Sequence, residues 1–474
     1  MRVQERSLLS EVGSLHGEPV NLRAASAAPD PPPATPQTAA APAVLLTATL
    51  RWPIAARLAI AFTGMGCVVE AVCPRQHPVA RVRAIRKTHA YSALAPLQSL
   101  RTAVAAAAPD LVIPCDDNAA VHLHQLYLST TADDPASSAL RVLLARSLGT
   151  PGACALATTR GDFMALADEE GVRIPQTRVA STQGELGAWL AQHGLPCVIK
   201  IDSTWGGQGV AIVRSHEEAR RAFALMASRP SLRNALARLL LDRDPIPLLN
   251  AMKQATRTVT LQEFIVGAPA NRAVACWQGQ VLAGNSVEAI QTQHPTGPAT
   301  VVRVIENAEM NEAVERLVRR LGLSGLWGID FVLEAATGAA HMIELNPRAT
   351  PISHLPLGDG HNLPAALFAR FTGAPPPVSA DTIERDVIAL FPGEWRRDPA
   401  SLHLHGAHHD IPWDEPGLVQ ECVAKPWAER GWIARLWSRL RAGPFTRQAR
   451  PADPFAPHAS TEKTPIRLAL DKLK

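Results

Sequence analysis

Residues 327–348, WGIDFVLEAATGAAHMIELNPR, restrict what this chain can fold into more than any other stretch. The pattern predicts a β-hairpin with an acid on each arm. Asp330 lies on the first arm and Glu344 on the second, with Asn346 two residues further along and therefore on the same face as Glu344. Antiparallel pairing brings Asp330 alongside them. The acids sit among Ile329, Phe331, Ile343 and Leu345 rather than in a polar run, which argues against a solvated surface hairpin. Two carboxylates and an amide oxygen converging from strands form a hard-oxygen site suited to Mg2+, which takes one or two carboxylates and fills its sphere with water and substrate phosphate. Arg348, next on that face, offers forked donors to a phosphate or carboxylate, and Pro347 stiffens the exit from the strand.

A second feature lies upstream. VIKIDSTWGGQGV (198–210) carries Lys200 on an apolar run and a glycine cluster six residues later. The familiar phosphate loop has the opposite order and opens a helix. Here VAIV follows the glycines, so the segment reads as a hairpin. Lys200 is then a strand-borne cation for phosphates, and the loop through Gly206, Gly207 and Gly209 can lay backbone N–H groups over them as a flap. Taken alone, the same pattern fits a plain turn beside a snorkelling lysine; the downstream acids favour the phosphate reading.

Around these motifs the chain alternates. AVLLTATL (43–50), CVVEAVCP (67–74) and LVIPCDD (111–117) read as strands, with helices at 52–66 and 99–110 between them. That order predicts a parallel sheet covered by helices. Its first turn, TATLRWP, lacks GxGxxG and is not read as a dinucleotide site. Residues 231–255 look like an additional helical pair, VTLQEFIVG (259–267) like one strand, and 272–289 like a hairpin about Gly279. Residues 1–42 are predicted to be a disordered Pro/Ala-rich arm. The domains are expected at 43–150, at 151–375 with a flap lobe at about 173–262, and at 376–474 as a C-terminal extension.

The order Lys-(x)5-Gly-Gly-x-Gly, then LQEFIVG, then DF…IELNPR resembles the ATP-grasp superfamily, in the branch of biotin carboxylase and the carbamoyl-phosphate synthetase large chain, over roughly residues 43–370. The resemblance implies an α/β chain: an N-terminal Rossmann-like parallel-sheet domain followed by a two-lobed ATP-grasp α+β fold. It makes Lys200 and Arg160 phosphate-binding cations, and Asp330, Glu344 and Asn346 the ligands of Mg2+ (or Mn2+). Arg348 becomes the arginine facing the γ-phosphate and acceptor. Gln262, Glu263, Phe264 and Ile265 fall on the linker that reads the adenine edge. One departure stands out: Pro269 occupies the position where relatives often carry a ribose-binding glutamate, and Asn271 is the nearest substitute.

The activity implied is that of an ADP-forming ligase using ATP to join a small-molecule carboxylate to an amine. Bicarbonate-dependent carboxylation in the same fold is a second reading, although no long additional domain for a biotin-linked partner is visible. An inert nucleotide-binding module is a third, opposed by the intact acids and Arg348. The segment 349–364 directly follows Arg348 and is expected to line the acceptor pocket, with Ser353 and His354 the candidates for binding acceptor; a purely structural loop is the alternative.

Composition adds exclusions. A net charge of +4 over 474 residues gives no nucleic-acid footprint. Seven scattered cysteines without a CxxC pair argue against a disulfide framework or structural zinc and for a reducing cytoplasm. No apolar run reaches the ~20 residues of a membrane span, and the first twenty residues do not read as a signal peptide. The helix at 427–443, with Trp432 and Trp437 beside arginines, reads as packing on its neighbour rather than on a membrane surface. HLHGAHHD (403–410) reads as solvated loop histidines rather than a metal site, and Cys115 as cleft wall rather than nucleophile. A homodimer is compatible with all of this.

Overall fold

The computed structural model describes residues 41–131, 134–150, 152–153, 156, 159–201, 209–228, 258–376 and 382–424. The expected arm, the helical pair at 231–255 and the tryptophan-bearing helix at 427–443 lie outside these residues, apart from the arm's last two.

Strands β1 (Ala43–Thr47), β2 (Val68–Cys73), β3 (Lys87–Ala90) and β4 (Leu111–Pro114) form the expected parallel sheet in the order β3-β2-β1-β4. Its apolar runs are continuous because both faces are covered. Val44, Leu46, Val69 and Ile113 pack on one side with Phe62 of helix Ile54–Gly64. Leu45, Val72 and Val112 pack on the other with helices Pro96–Ala107, Asp117–Leu128 and Pro135–Leu148.

A second four-stranded sheet, all antiparallel, contains β5 (Thr177–Ala180), β6 (Cys197–Ile201), β7 (Val210–Val213) and β8 (Val259–Glu263) in the order β5-β8-β6-β7. Helices Gln183–His193 and His216–Ala227 cover it.

The third sheet has seven strands in the order β13-β12-β9-β10-β11-β14-β15. They are β9 (Gly267–Trp277), β10 (Gln280–Thr292), β11 (Ala299–Val304), β12 (Gly325–Glu334), β13 (Ala340–Asn346), β14 (Val387–Ala389) and β15 (His408–His409). Helix Ala308–Leu321 covers one face with Met310, Val314, Leu317, Val318 and Leu321, an apolar stripe at helical spacing. The other face shares a core with the N-terminal sheet.

Two differences from the sequence reading have physical causes. The stretch 259–267 is not one strand: β8 pairs in the second sheet and β9 in the third, so residues 264–266 cross between them. Residues 382–424 are also not a separate appendage. β14 pairs antiparallel with β11, β15 adds beside it, and Leu418 and Val419 join the shared core.

Candidate active site

The acidic hairpin forms with a register shift between Asp330 and Phe331, which sets the two acids opposite each other. Asp330 pairs with Glu344 on β13 and with Asn271 on β9, so three polar side chains form one row across three strands. Asp330 Oδ1 accepts from Asn271 Nδ2 at 2.6 Å and Oδ2 from Asn346 Nδ2 at 2.9 Å. Burial, and then the like charge of Glu344, raise the Asp330 pKa above the usual carboxylate range. Gly328 pairs with Asn346, and a Cβ there would stand 2.1 Å from the Thr350 side chain. The missing side chain lets the segment after Arg348 fold onto the sheet.

Two cations flank this row, Lys200 from the antiparallel sheet and Arg160 from a helix that packs with the acidic hairpin. Arg160 opens helix Arg160–Glu169 and is buried; its Nη2 donates to Glu344 Oε1 at 2.7 Å and its Nη1 to the Ile201 carbonyl at 3.3 Å. One guanidinium therefore ties the end of β6 to the acidic hairpin. Lys200, one residue before Ile201, is also buried. Burial, followed by the Arg160 charge, lowers its pKa to about 8 against the pull of Glu344 and Asp330.

Arg348 comes from the third direction. Its Nε donates to Asp117 Oδ2 at 2.7 Å, Nη2 to Asn346 Oδ1 at 3.1 Å, and Nη1 to the Ala349 carbonyl at 3.2 Å. The guanidinium lies 5.0 Å from the centre of the Trp52 ring. Burial opposes its charge, yet Asp117, Asp330 and Glu344 hold its pKa above the ordinary value. Asp117 is the first residue of helix Asp117–Leu128, just past β4. The cleft thus opens at the carboxyl ends of β1 and β4, between which the parallel order reverses direction from β1.

Lys200, Arg160, Asp330, Glu344, Asn346, Asn271 and Arg348 therefore converge. Asn271 sits with the acids rather than beside Pro269, which pairs with Val332 one row away. Gly209 is described and has φ +82°, whereas Gly206 and Gly207 lie outside the described residues. Gln262 is buried and donates to Thr177 Oγ1 at 3.1 Å, while exposed Glu263 accepts from Gln176 N at 3.3 Å. Phe264 and Ile265 are half-buried on the crossing between sheets.

Ser353 and His354, expected to bind acceptor, are both buried and engaged by neighbouring groups. The Ser353 hydroxyl is fully buried and accepts from Thr350 N at 2.8 Å. His354 Nε2 lies 2.8 Å from Asp410 Oδ2 and 3.0 Å from Arg57 Nε, and Arg57 also pairs with Asp410. This cluster joins the first helix, the loop after Arg348 and the C-terminal segment. The histidines at 403–410 likewise depart from a solvated loop. They form a helical turn (His403–Gly406) and β15, and burial lowers the His409 pKa to about 4. Among the described residues, no three His, Cys, Asp or Glu side chains are arranged to hold a metal ion. The Cys115 thiol is buried, donates weakly to the Ile113 carbonyl at 3.7 Å, and is pushed well above the ordinary thiol pKa by burial and by Asp116.

Sequence reasoning missed Asp117 and Trp52. Asp117 was visible as an acid ending a parallel strand, the place where such sheets bind ligands. Its contact with a residue 231 positions away leaves no local pattern.

The ATP-grasp domain family matches residues 163–351. The chain is 27% identical over 201 residues to formate-dependent phosphoribosylglycinamide formyltransferase of Bacteroides thetaiotaomicron, covering 42% of this chain and 46% of that one. It is 27% identical over 218 residues to the carbamoyl phosphate synthase large chain of Thermus thermophilus, covering 43% and 18%. It thus spans less than half the length of either relative. Among solved structures, it resembles the biotin carboxylase domain of the Hydrogenobacter thermophilus 2-oxoglutarate carboxylase, with a TM-score of 0.52, 16% identity and 71% of each chain covered. That likeness is one of fold.

Proposed function

Residues 163–351 are an ATP-grasp domain, and from that premise we propose that the protein is an ATP-dependent, ADP-forming ligase that activates a carboxylate as an acyl phosphate for attack by an amine. The observation that carries this reading is the convergence of three cations and two facing acids. Lys200 stands on the flap side, Arg160 links it to the acids, Arg348 stands on the cleft side, and Asp330 faces Glu344 between them.

A carboxylate resists amines because oxide is a hopeless leaving group. Transfer of the γ-phosphoryl group turns that oxygen into part of a phosphate, which leaves with the C–O electron pair. Such a transfer needs alignment and charge neutralisation more than covalent help from the protein. Lys200 and Arg160 bind the phosphate oxygens, and Arg348 holds the acceptor carboxylate against the γ-phosphate. Glu263, Phe264 and Ile265 present backbone groups to the adenine.

Asp330, Glu344 and Asn346 fit Mg2+ or Mn2+: all donors are oxygens, and burial together with the facing Glu344 charge, which raise the Asp330 pKa, leaves negative charge that a divalent ion would offset. When bound there, the ion supplies countercharge to the nucleotide's phosphates. The substrates are read as a small carboxylate and a small amine, with the ATP-grasp domain taken as 151–375 and its flap as 173–262. Pooled carboxylates with MgATP and hydroxylamine test this directly. Hydroxamate and ADP formed by the wild type but not by Glu344→Ala are the expected result. ADP release that depends on bicarbonate alone would favour carboxylation, and nucleotide binding without turnover in any pool would overturn the ligase reading.

A further inference from the structure

The N-terminal sheet supplies none of the nucleotide-binding groups named above, yet one of its acids reaches the arginine assigned to the transferred phosphoryl group. We infer that Asp117 is a positioning residue that fixes the aim of Arg348, so that the N-terminal sheet sets the geometry of a cation belonging to the ATP-grasp domain. The role given to Arg348 rests on the reading of function above; the contact itself does not.

Three observations carry the inference. First, Arg348 is overdetermined: each guanidinium nitrogen has its own acceptor, Asp117 Oδ2 at 2.7 Å, Asn346 Oδ1 at 3.1 Å and the Ala349 carbonyl at 3.2 Å, and the guanidinium carbon lies 5.0 Å from the centre of the Trp52 ring. Second, Asp117 does not cap its own helix. Its neighbour Asp116 does so, accepting from Ala119 N at 2.9 Å. Asp116 also accepts from Thr49 N at 2.5 Å, Leu50 N at 2.9 Å and Thr49 Oγ1 at 2.8 Å, which pins the loop that carries Trp52. Two consecutive acids thus hold the two sides of the arginine's socket. Third, the pair is buried, with side chains 12% and 6% exposed. A buried ion pair adds little net stability over apolar packing, so stability alone does not account for it, and a fixed geometry is what it supplies. An arginine held by one charged partner from another sheet keeps its fork in register for a planar ligand; a misplacement of an ångström costs about 10²-fold in rate.

The test uses the full chain. In arginine-labelled protein, the Nε–H resonance of Arg348, identified by its loss in Arg348→Lys, is expected to be sharp and slow to exchange. It should broaden or vanish in Asp117→Asn and return in Asp117→Glu. An unchanged resonance in Asp117→Asn overturns the inference, whatever the activity. In the hydroxamate assay, Asp117→Asn should lower kcat about 10²-fold with less than a threefold change in the KM for ATP. It should cause no further loss in an Arg348→Ala background. Additive losses would mean that Asp117 acts otherwise than through Arg348. A wild type that forms no hydroxamate would count against the ligase reading alone, and the resonance would still decide the positioning role. If Asp117→Asn does not fold, Asp117→Glu carries both measurements: a shifted but sharp resonance with partial kcat supports the role, and loss of KM alone contradicts it.

Discussion

The molecule contains two four-stranded sheets whose attachments differ. The N-terminal parallel sheet shares one continuous core with the seven-stranded sheet: Val44, Leu46 and Phe62 pack in the same cluster as Ala273, Leu326, Leu367 and Ile388. The antiparallel sheet β5-β8-β6-β7 has a core of its own, made of Ala180, Leu186, Trp189, Ile199, Phe223, Leu261 and neighbours within the same lobe. The first is therefore part of a larger core, and the second has its own. The charged groups divide along that line. Arg348 is braced by the larger core's side through Asp117, whereas Lys200 lies on the antiparallel sheet, joined to the acids through Arg160.

The largest effect should come from the row where the lobes meet. Glu344→Gln removes the partner of Arg160 together with half of the facing acid pair. Loss of kcat by about 10³-fold is expected, comparable to removing a main electrostatic stabiliser, and chelation of divalent ions should abolish turnover to a similar extent. Retention of more than a tenth of the rate would break the link between the lobes.

Next come the two cores. Leu261→Ala and Leu367→Ala each empty a fully buried site and should each cost about 2–5 kcal/mol. Hydrogen exchange should show the first loosening β5 to β8 alone, and the second lowering protection in the N-terminal and seven-stranded sheets together. Loosening of all three sheets by Leu261→Ala would contradict the division.

Lys200 sharpens the comparison from the side of charge. Its pKa of about 8 lies below the ordinary lysine value of 10.5, so between those values the unfolded chain binds more protons than the folded one. Stability of the free protein should therefore rise as pH increases from about 8 toward 10.5, and at pH 7 the buried charge costs on the order of 3 kcal/mol. Lys200→Met is expected to raise Tm while removing nucleotide affinity. In the wild type, affinity for MgATP should fall as pH rises through 8, by at most about tenfold per unit, since the charged form is the one that binds phosphate. A variant that loses both stability and affinity would contradict this. The smallest effect concerns the nucleoside end. Pro269→Glu restores the acid that relatives often carry and should tighten ATP binding by up to about tenfold over 2′-deoxy-ATP, the worth of one charged hydrogen bond.

How much of this was legible in the sequence follows the range of the interactions. Alternation was enough to place Asp330 and Glu344 on the two arms of one hairpin, and the run around Lys200 to place it on a strand, because both are local patterns. The register shift beside Asp330 that sets it opposite Glu344 leaves no such pattern. Strands β1, β2 and β4 were readable from their apolar runs, whereas β3 is polar and mostly exposed and carries none. The brace between Asp117 and Arg348 and the cluster of Arg57, His354 and Asp410 join residues more than fifty positions apart by single side-chain contacts, and no periodicity records them. The burial of Ser353 and His354 was not legible, because a polar residue beside a site looks the same in sequence whether it faces the cleft or the core. VIALFPGEW (387–395) reads as a short strand and contains β14, whereas β15, with two residues, carries no alternation.

The central claim is that the γ-phosphoryl group moves reversibly to a carboxylate before any amine attacks. ATP labelled with 18O in the β–γ bridge, incubated with Mg2+ and the carboxylate pool but no amine, tests it by 31P NMR. The account predicts that the label scrambles from the bridge to the β-nonbridging position only when carboxylate is present, and not at all in Glu344→Ala. ADP formation without scrambling in any carboxylate pool, or scrambling that persists in Glu344→Ala, would contradict it.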